Sequence, residues 1–462
     1  METNKDSEML GTAPVGSLLA KLAAPAIIAQ IVNMLYNMVD RIYIGHIPGD
    51  GALALTGIGL TIPIIMLTSA FSSLIGMGGA PRASIKMGEK KNDEAERILG
   101  NCVTALIIIS IVMSASIYAF REPLLYLFGA SDITIEYALK YLNIYLLGTI
   151  FVQFSLGLNP FISAQGFAKT GMITVVIGAV LNIILDPVFI YLFDMGIAGA
   201  ALATIISQAV SCIWVLRFLT GEKTVLKIKK ENLKLDRKIV LPVMALGLSP
   251  FIMQSTESLL NIVFNSSLQK YGGDIYVGAM TILATVMQLI LFPLMGLTQG
   301  AQPIIGYNFG AGQFKRVKKT FRLLLIISIV FTGILWLTVL FKPDILILIF
   351  TKDPELIEAT RQYMPVYLGA VIVMGAQVAC QQTFISVGQA KISIFLAVLR
   401  KLILLIPLIY ILPNFIEEKV FAVFLAEPIS DVIAALTTVI TFAIAFNKLI
   451  KEREERNVLT KS

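Results

Sequence analysis

Long apolar runs fill this chain and are separated by short polar or basic stretches. They fall at 17–46, 52–80, 98–120, 133–162, 170–193, 197–218, 239–268, 275–305, 320–341, 356–385, 392–412 and 418–446. Each is long enough to cross a ~30 Å hydrocarbon core, which takes ~20 helical residues. Backbone in lipid must satisfy its own hydrogen bonds, so spans of this length are helices. The pattern predicts an all-α polytopic membrane protein with twelve transmembrane helices.

Polar residues inside these runs carry the chemical information. In the first run, Gln30, Asn33, Asn37 and Asp40 are spaced three, four and three residues apart. On a helix that spacing forms one stripe. An acid and three amides are costly against lipid, so the stripe faces protein or water. It is read as the lining of a binding chamber in which Asp40 carries a cation or proton. A structural polar seam between helices would use the same residues.

Composition agrees with the pattern: 56% of residues are hydrophobic and 15% are charged, where a soluble domain is about one quarter charged. Residues 1–16 are polar and mixed in charge, with no basic region or small-residue cleavage site of a signal peptide. Cys102, Cys212 and Cys380 stand far apart in apolar runs and suggest neither disulfides nor a metal site. His46, the single histidine, sits at the end of the first run and reads as a solvated bystander.

The basic residues are unevenly distributed. One set of alternate connections, with both termini, holds 26 of the 37 lysines and arginines, and the other set holds 5. The positive-inside rule makes the basic side cytoplasmic and puts both termini there, for a protein of the plasma membrane. The net charge of +7 is thus a membrane-topology signal and not a nucleic-acid one. Loops 82–97 and 313–322 are expected to be solvated linkers near anionic headgroups, with membrane lipids as partners.

The longest basic loop, 217–238, lies at mid-chain, and the two halves repeat at an offset of 222 residues. Gly78, Pro81 and Gly88 match Gly300, Pro303 and Gly310. Tyr141 and Tyr145 match Tyr363 and Tyr367, and Gly166, Ala168 and Lys169 match Gly388, Ala390 and Lys391. Six spans per half make the repeat parallel, a transporter design with the substrate site between halves. Two domains are expected, at 1–222 and 223–462. Pro25, Pro63, Pro187, Pro250, Pro293, Pro365 and Pro407 punctuate the spans and can kink them.

Three motifs are more specific. They are Gln299-Gly-Ala-Gln-Pro-Ile-Ile-Gly-Tyr-Asn-Phe-Gly-Ala-Gly312, Leu181-Asn-Ile-Ile-Leu-Asp-Pro187 and Gly199-Ala-Ala-Leu-Ala-Thr204. The chain resembles, over nearly its whole length, the multidrug and toxic compound extrusion (MATE) family of the MOP superfamily, with the flavour of its DinF-like branch and MepA-type exporters. The resemblance implies two parallel six-helix bundles and a monomer. It also implies export of amphipathic, often cationic compounds in exchange for H⁺ or Na⁺, and with it antibiotic resistance. In the DinF-like branch the functional residues of the first half match Asp40, Asn182, Asp186 and Thr204 here. Counted from the span ends, Asp40, Asp186 and Thr204 lie at a similar depth, roughly 10 Å in. Two carboxylates, an amide oxygen and a hydroxyl could form an oxygen cage for Na⁺ or a proton site. No other cofactor is implied.

In the second half no acid occupies the position equivalent to Asp40. Glu257 instead resembles the glutamate of the NorM-like branch, while Ala376 or Gln377 stands where that branch carries an aspartate. Candidates for the substrate cavity are Gln30, Asn33, Tyr36, Asn37, Asn159, Glu257 and Gln288. Arg400 in span eleven and Glu427 and Asp431 in span twelve fall at the same depth and are expected to form an intramembrane ion pair. A lipid-linked oligosaccharide or precursor flippase of the same superfamily is the alternative function, and it would favour basic cavity residues over these acidic ones. The chain has no histidine pair, HExxH, nucleophile elbow or phosphate loop, which leaves an enzyme without its chemistry.

Overall fold

A computed structural model describes residues 3–49 and 51–459. The outermost positions of the two expected domains, 1–2 and 460–462, lie outside the described residues, as does position 50. Most of the described residues are helical, and no strand occurs among them.

The polar N-terminal stretch forms α1 (Thr3–Thr12), and α2 (Val15–Gly45), α3 (Gly51–Gly88) and α4 (Asn92–Leu127) follow. Next come α5 (Thr134–Leu147), α6 (Thr149–Ala164), α7 (Ala168–Pro187), which runs on through a wider turn at Val188–Leu192, and α8 (Gly196–Thr220). The second half comprises α9 (Arg237–Gly272), α10 (Asp274–Gly310), α11 (Phe314–Phe341), the single turn α12 (Asp344–Ile347), α13 (Pro354–Tyr367) and α14 (Val371–Ser386). It ends with α15 (Ala390–Val398), a wide turn at Leu399–Leu405, α16 (Ile406–Ile411) and α17 (Lys419–Leu459).

Among the described residues, ten helices are long and apolar enough to cross a membrane, and the count is twelve when two bent pairs are each taken as one span. Those pairs are α5 with α6, bent by 59°, and α13 with α14, bent by 50°. They are the fourth and tenth spans, at matching places in the repeat. Gly148 stands at the first break, and a Cβ there would come within 2.5 Å of Ile205. The repeated tyrosines, Tyr141 and Tyr145 in α5 and Tyr363 and Tyr367 in α13, precede the two breaks and are buried.

The expected linkers at 82–97 and 313–322 are instead mostly helix. α3 continues to Gly88 and α4 starts at Asn92; α10 ends at Gly310 and α11 starts at Phe314. Charge pairing at the helix ends supports the extension: Lys86 reaches Glu89 at 3.1 Å and Glu94 at 2.7 Å. Arg316 donates to the backbone oxygens of Leu10 at 3.1 Å and Ala13 at 2.7 Å, which ties α1 to the start of α11. The mid-chain connection packs on the first half. Gln165 Oε1 accepts from Val225 N at 2.8 Å and Leu226 N at 2.9 Å, and Glu96 meets Lys229 Nζ at 2.5 Å. The three cysteines are buried free thiols. His46, exposed at the end of α2, has Nδ1 2.7 Å from Ile42 O.

The two halves meet along helix segments next to the basic connections. A Cβ on Gly88 would lie 1.9 Å from Tyr307 O, and one on Gly310 would lie 2.0 Å from Ile85 O. Only glycine admits so close a backbone approach, which explains why this pair recurs in the repeat. The α3–α9 contact continues through Phe71 and Phe251, whose ring centroids are 4.9 Å apart, and reaches Ser258 and Met66. One apolar cluster joins the start of α2 (Leu18, Leu19, Leu22) to Leu294, Ala301 and Phe384 of the second half. Beyond these contacts, α2 exposes Ile31, Leu35, Met38 and Ile42, and α9 exposes Leu259 and Ile262.

Candidate functional site

Asp40 lies on α2, one turn after Tyr36, so both side chains share a helix face. Asn182 and Asp186 lie one turn apart on α7, and Thr204 faces them from α8. The small residues Gly199, Ala200, Ala201 and Ala203 let α8 run close to its neighbours, and all four are buried. Asn182 Nδ2 is 3.3 Å from Asp186 Oδ1 and 3.3 Å from Thr204 Oγ1. The Asp40 carboxyl on α2 neighbours the Asp186 carboxyl on α7. The four residues named from the resemblance thus form one cluster.

Three oxygens of this cluster are buried without a hydrogen-bond partner: Asp40 Oδ1, Asn182 Oδ1 and Asp186 Oδ2. A buried polar atom left unpaired costs free energy, so these oxygens leave room for a proton or a small cation. Among the described residues no group of three or more His, Cys, Asp or Glu side chains is placed to hold a metal ion. This cluster has two acids, completed by an amide and a hydroxyl. Hard oxygen donors of that kind fit Na⁺, and the paired carboxyls equally fit a shared proton.

Sequence reasoning passed over part of the surrounding shell. Tyr141 and Tyr145 stack with ring centroids 6.1 Å apart, and Tyr141 neighbours Thr204. Their spacing of four and their recurrence in the second half were the available signal. Along the stripe, Asn37 is exposed and donates to Asn33 O at 2.6 Å, while Gln30 and Asn33 are half-buried. Two cavity candidates lie apart from it. Asn159 donates to Gly171 O at 3.2 Å, between α6 and α7, and Gln288 is exposed on α10.

The second half holds a different cluster. Arg400 Nε is 2.7 Å from Asp431 Oδ1, and Arg400 Nη2 is 3.3 Å from Glu427 Oε1. Arg400 therefore bridges both acids. Ser430 Oγ donates to Arg400 O at 2.8 Å, fixing α17 against the wide turn. Lys401 points to another neighbour and pairs with Glu257 Oε1 on α9. Adjacent helical residues point about 100° apart, so consecutive cations serve different helices.

The MatE family model matches this chain twice, at residues 25–188 and 250–411. The chain belongs to the MatE family. The double match independently marks the internal repeat. The multidrug export protein MepA of Staphylococcus haemolyticus is 23% identical over 89% of this chain and 90% of its own length. MepA of Staphylococcus aureus is 24% identical over 86% of this chain and 87% of its own length. Among solved structures, MATE in the bent conformation superposes with a TM-score of 0.90 at 21% identity, over 97% of this chain and 99% of its own. An outward-facing multidrug resistance MATE transporter of the MOP superfamily gives 0.89 at 21% identity, over 96% and 98%. The fold is therefore that of MATE transporters, and the chain is a membrane transporter and not an enzyme.

Proposed function

We propose that this MatE-family protein exports amphipathic cations across the plasma membrane in exchange for H⁺ or Na⁺. The observation that carries the reading is the cluster of Asp40, Asn182, Asp186 and Thr204, with three buried oxygens open to a proton or cation. Multidrug export by the MepA relatives supports drugs as the cargo. The coupling ion binds among these four residues, and the polar face of α2 with Glu257 offers the cargo its contacts. The protein acts as a monomer, and the basic connections support cytoplasmic placement of both termini. Residues 1–222 and 223–462 are the two moving lobes. The contacts near the basic ends, and the exposed side chains beyond them, support an outward-open arrangement. Rocking at the glycine contacts then alternates access.

The test is ethidium export from proteoliposomes, driven by a sodium gradient or a pH gradient alone, with Asp40→Asn alongside. Export under one gradient, lost in the variant, names the coupling ion and its site. Export that survives Asp40→Asn moves coupling to the second half. No export under either gradient replaces this reading with a lipid-linked substrate.

A further inference from the structure

The charged cluster of the second half is unevenly built. Arg400, Glu427 and Asp431 are all deeply buried, with side chains 11%, 7% and 1% exposed. In the neighbouring pair, Lys401 is 5% exposed but Glu257 is 49% exposed. Glu257 lies in the interior of α9, where an open carboxylate belongs on a water-filled cleft and not in lipid. Its neighbours Gln254 and Ser258 touch Ser73 and Met66 of the first half, so Glu257 sits at the boundary between halves.

The charges of the cluster do not cancel. The cluster comprises the acids Glu257, Glu427 and Asp431 and the cations Arg400 and Lys401. It carries one excess negative charge when all five groups are ionised. A proton on one of the acids or one more monovalent cation would balance it.

Lys401 has a second place to go. An ammonium has three donors, and this one uses Glu257 Oε1 and Met253 O, the latter at 2.9 Å. Lys401 also lines a cavity of about 30 Å³ with Met253, Gln377, Gln381, Gln382 and Arg400, whose own charge is met by Glu427 and Asp431. That volume holds a water or an ammonium head. Gln377 is 6% exposed, and its Oε1 is a buried acceptor without a hydrogen-bond partner. The cavity thus offers an unused acceptor to the third donor of Lys401.

We propose that Lys401 is a tethered cation that occupies Glu257 until a monovalent organic cation displaces it, and that the glutamine-lined cavity then receives the ammonium. Lys401 is a competitor for the site, so substrate binding is an exchange of cations on one carboxylate. The inference rests on the exporter reading and adds to its Glu257 contact the resident cation that the cargo must displace.

Ethidium binding to the purified protein in nanodiscs, read by fluorescence anisotropy with no gradient present, tests the exchange. Lys401→Met removes the competitor and leaves Glu257 open to the cleft, so it should tighten binding about tenfold, the scale of a close charge pair. Glu257→Gln should weaken binding, and adding Lys401→Met to it should restore nothing. Glu257→Gln strands a buried ammonium; if it does not fold, the double variant, neutral at both positions, serves as the reference without Glu257. Unchanged or weaker binding by Lys401→Met, with wild-type binding intact, overturns the exchange and leaves the exporter reading standing. Equal tightening by Lys401→Met in the presence and absence of Glu257 overturns it as well. Absence of both binding and export in the wild type overturns the exporter reading and this inference together.

Discussion

The two halves share a helix plan but treat buried charge in opposite ways. In the first half Asp40 and Asp186 face each other, and three oxygens stay unpartnered. In the second half Arg400 meets both Glu427 and Asp431, and Lys401 meets Glu257. Unpaired buried oxygens suit an ion that comes and goes, since an occupant gains contacts that the empty site lacks. A cluster that supplies its own cations is held together by them, and removing one partner exposes an uncompensated charge. The repeat thus preserves backbone architecture while the chemistry in each half diverges.

The largest expected contrast comes from the acids of the first half. Asp40→Asn and Asp186→Asn should abolish gradient-driven ethidium export while leaving the folded yield near wild type. Normal export by both would end the distinction between the halves. Arg400→Ala should do the reverse and act on stability, costing about 3–5 kcal/mol because Glu427 and Asp431 lose their counter-charge. Thermal unfolding in detergent measures that loss, and an Arg400→Ala protein as stable as wild type would remove the structural role of the ion pair.

A smaller effect is expected at Thr204. Thr204→Val removes the oxygen that accepts from Asn182 and should cost about 0.5–1.5 kcal/mol, read as weaker ion dependence of export with the fold retained. The smallest belongs to a contact that joins the halves at the basic ends, where Arg453 Nη2 lies 3.0 Å from Glu89 Oε1. Partly exposed pairs contribute about 0–1 kcal/mol, so Arg453→Ala should leave stability unchanged. It should raise thiol labelling of a cysteine placed at Ser84, which is buried and bonds to Pro303 O across the halves. Unaltered labelling would show that the glycine contacts alone keep that end closed.

Much of this was legible in the chain. Length and apolarity of the runs marked the spans to within a few residues at most ends, and the acids stood out because lipid tolerates few of them. The repeated Gly88 and Gly310 were visible as a pair, but their purpose was not, since backbone approach between halves is a three-dimensional fact. The extension of α3 and α10 into polar and charged sequence was missed because hydropathy stops where the lipid does, while hydrogen bonding along a helix continues into water.

The membrane class, the twelve apolar spans, the internal repeat and the identity of the buried acids could all be read from the chain before any coordinate. They follow from periodicity, length and the cost of charge in lipid, which act residue by residue. Which charge meets which became visible only in the folded molecule. Lys401 is paired with Glu257 across 144 positions because α9 passes the wide turn at Leu399–Leu405, and Arg400 bridges two acids because α17 lies on its other side. Partner choice depends on helix rotation and on which helix is adjacent, and neither is written in the pattern of a single span.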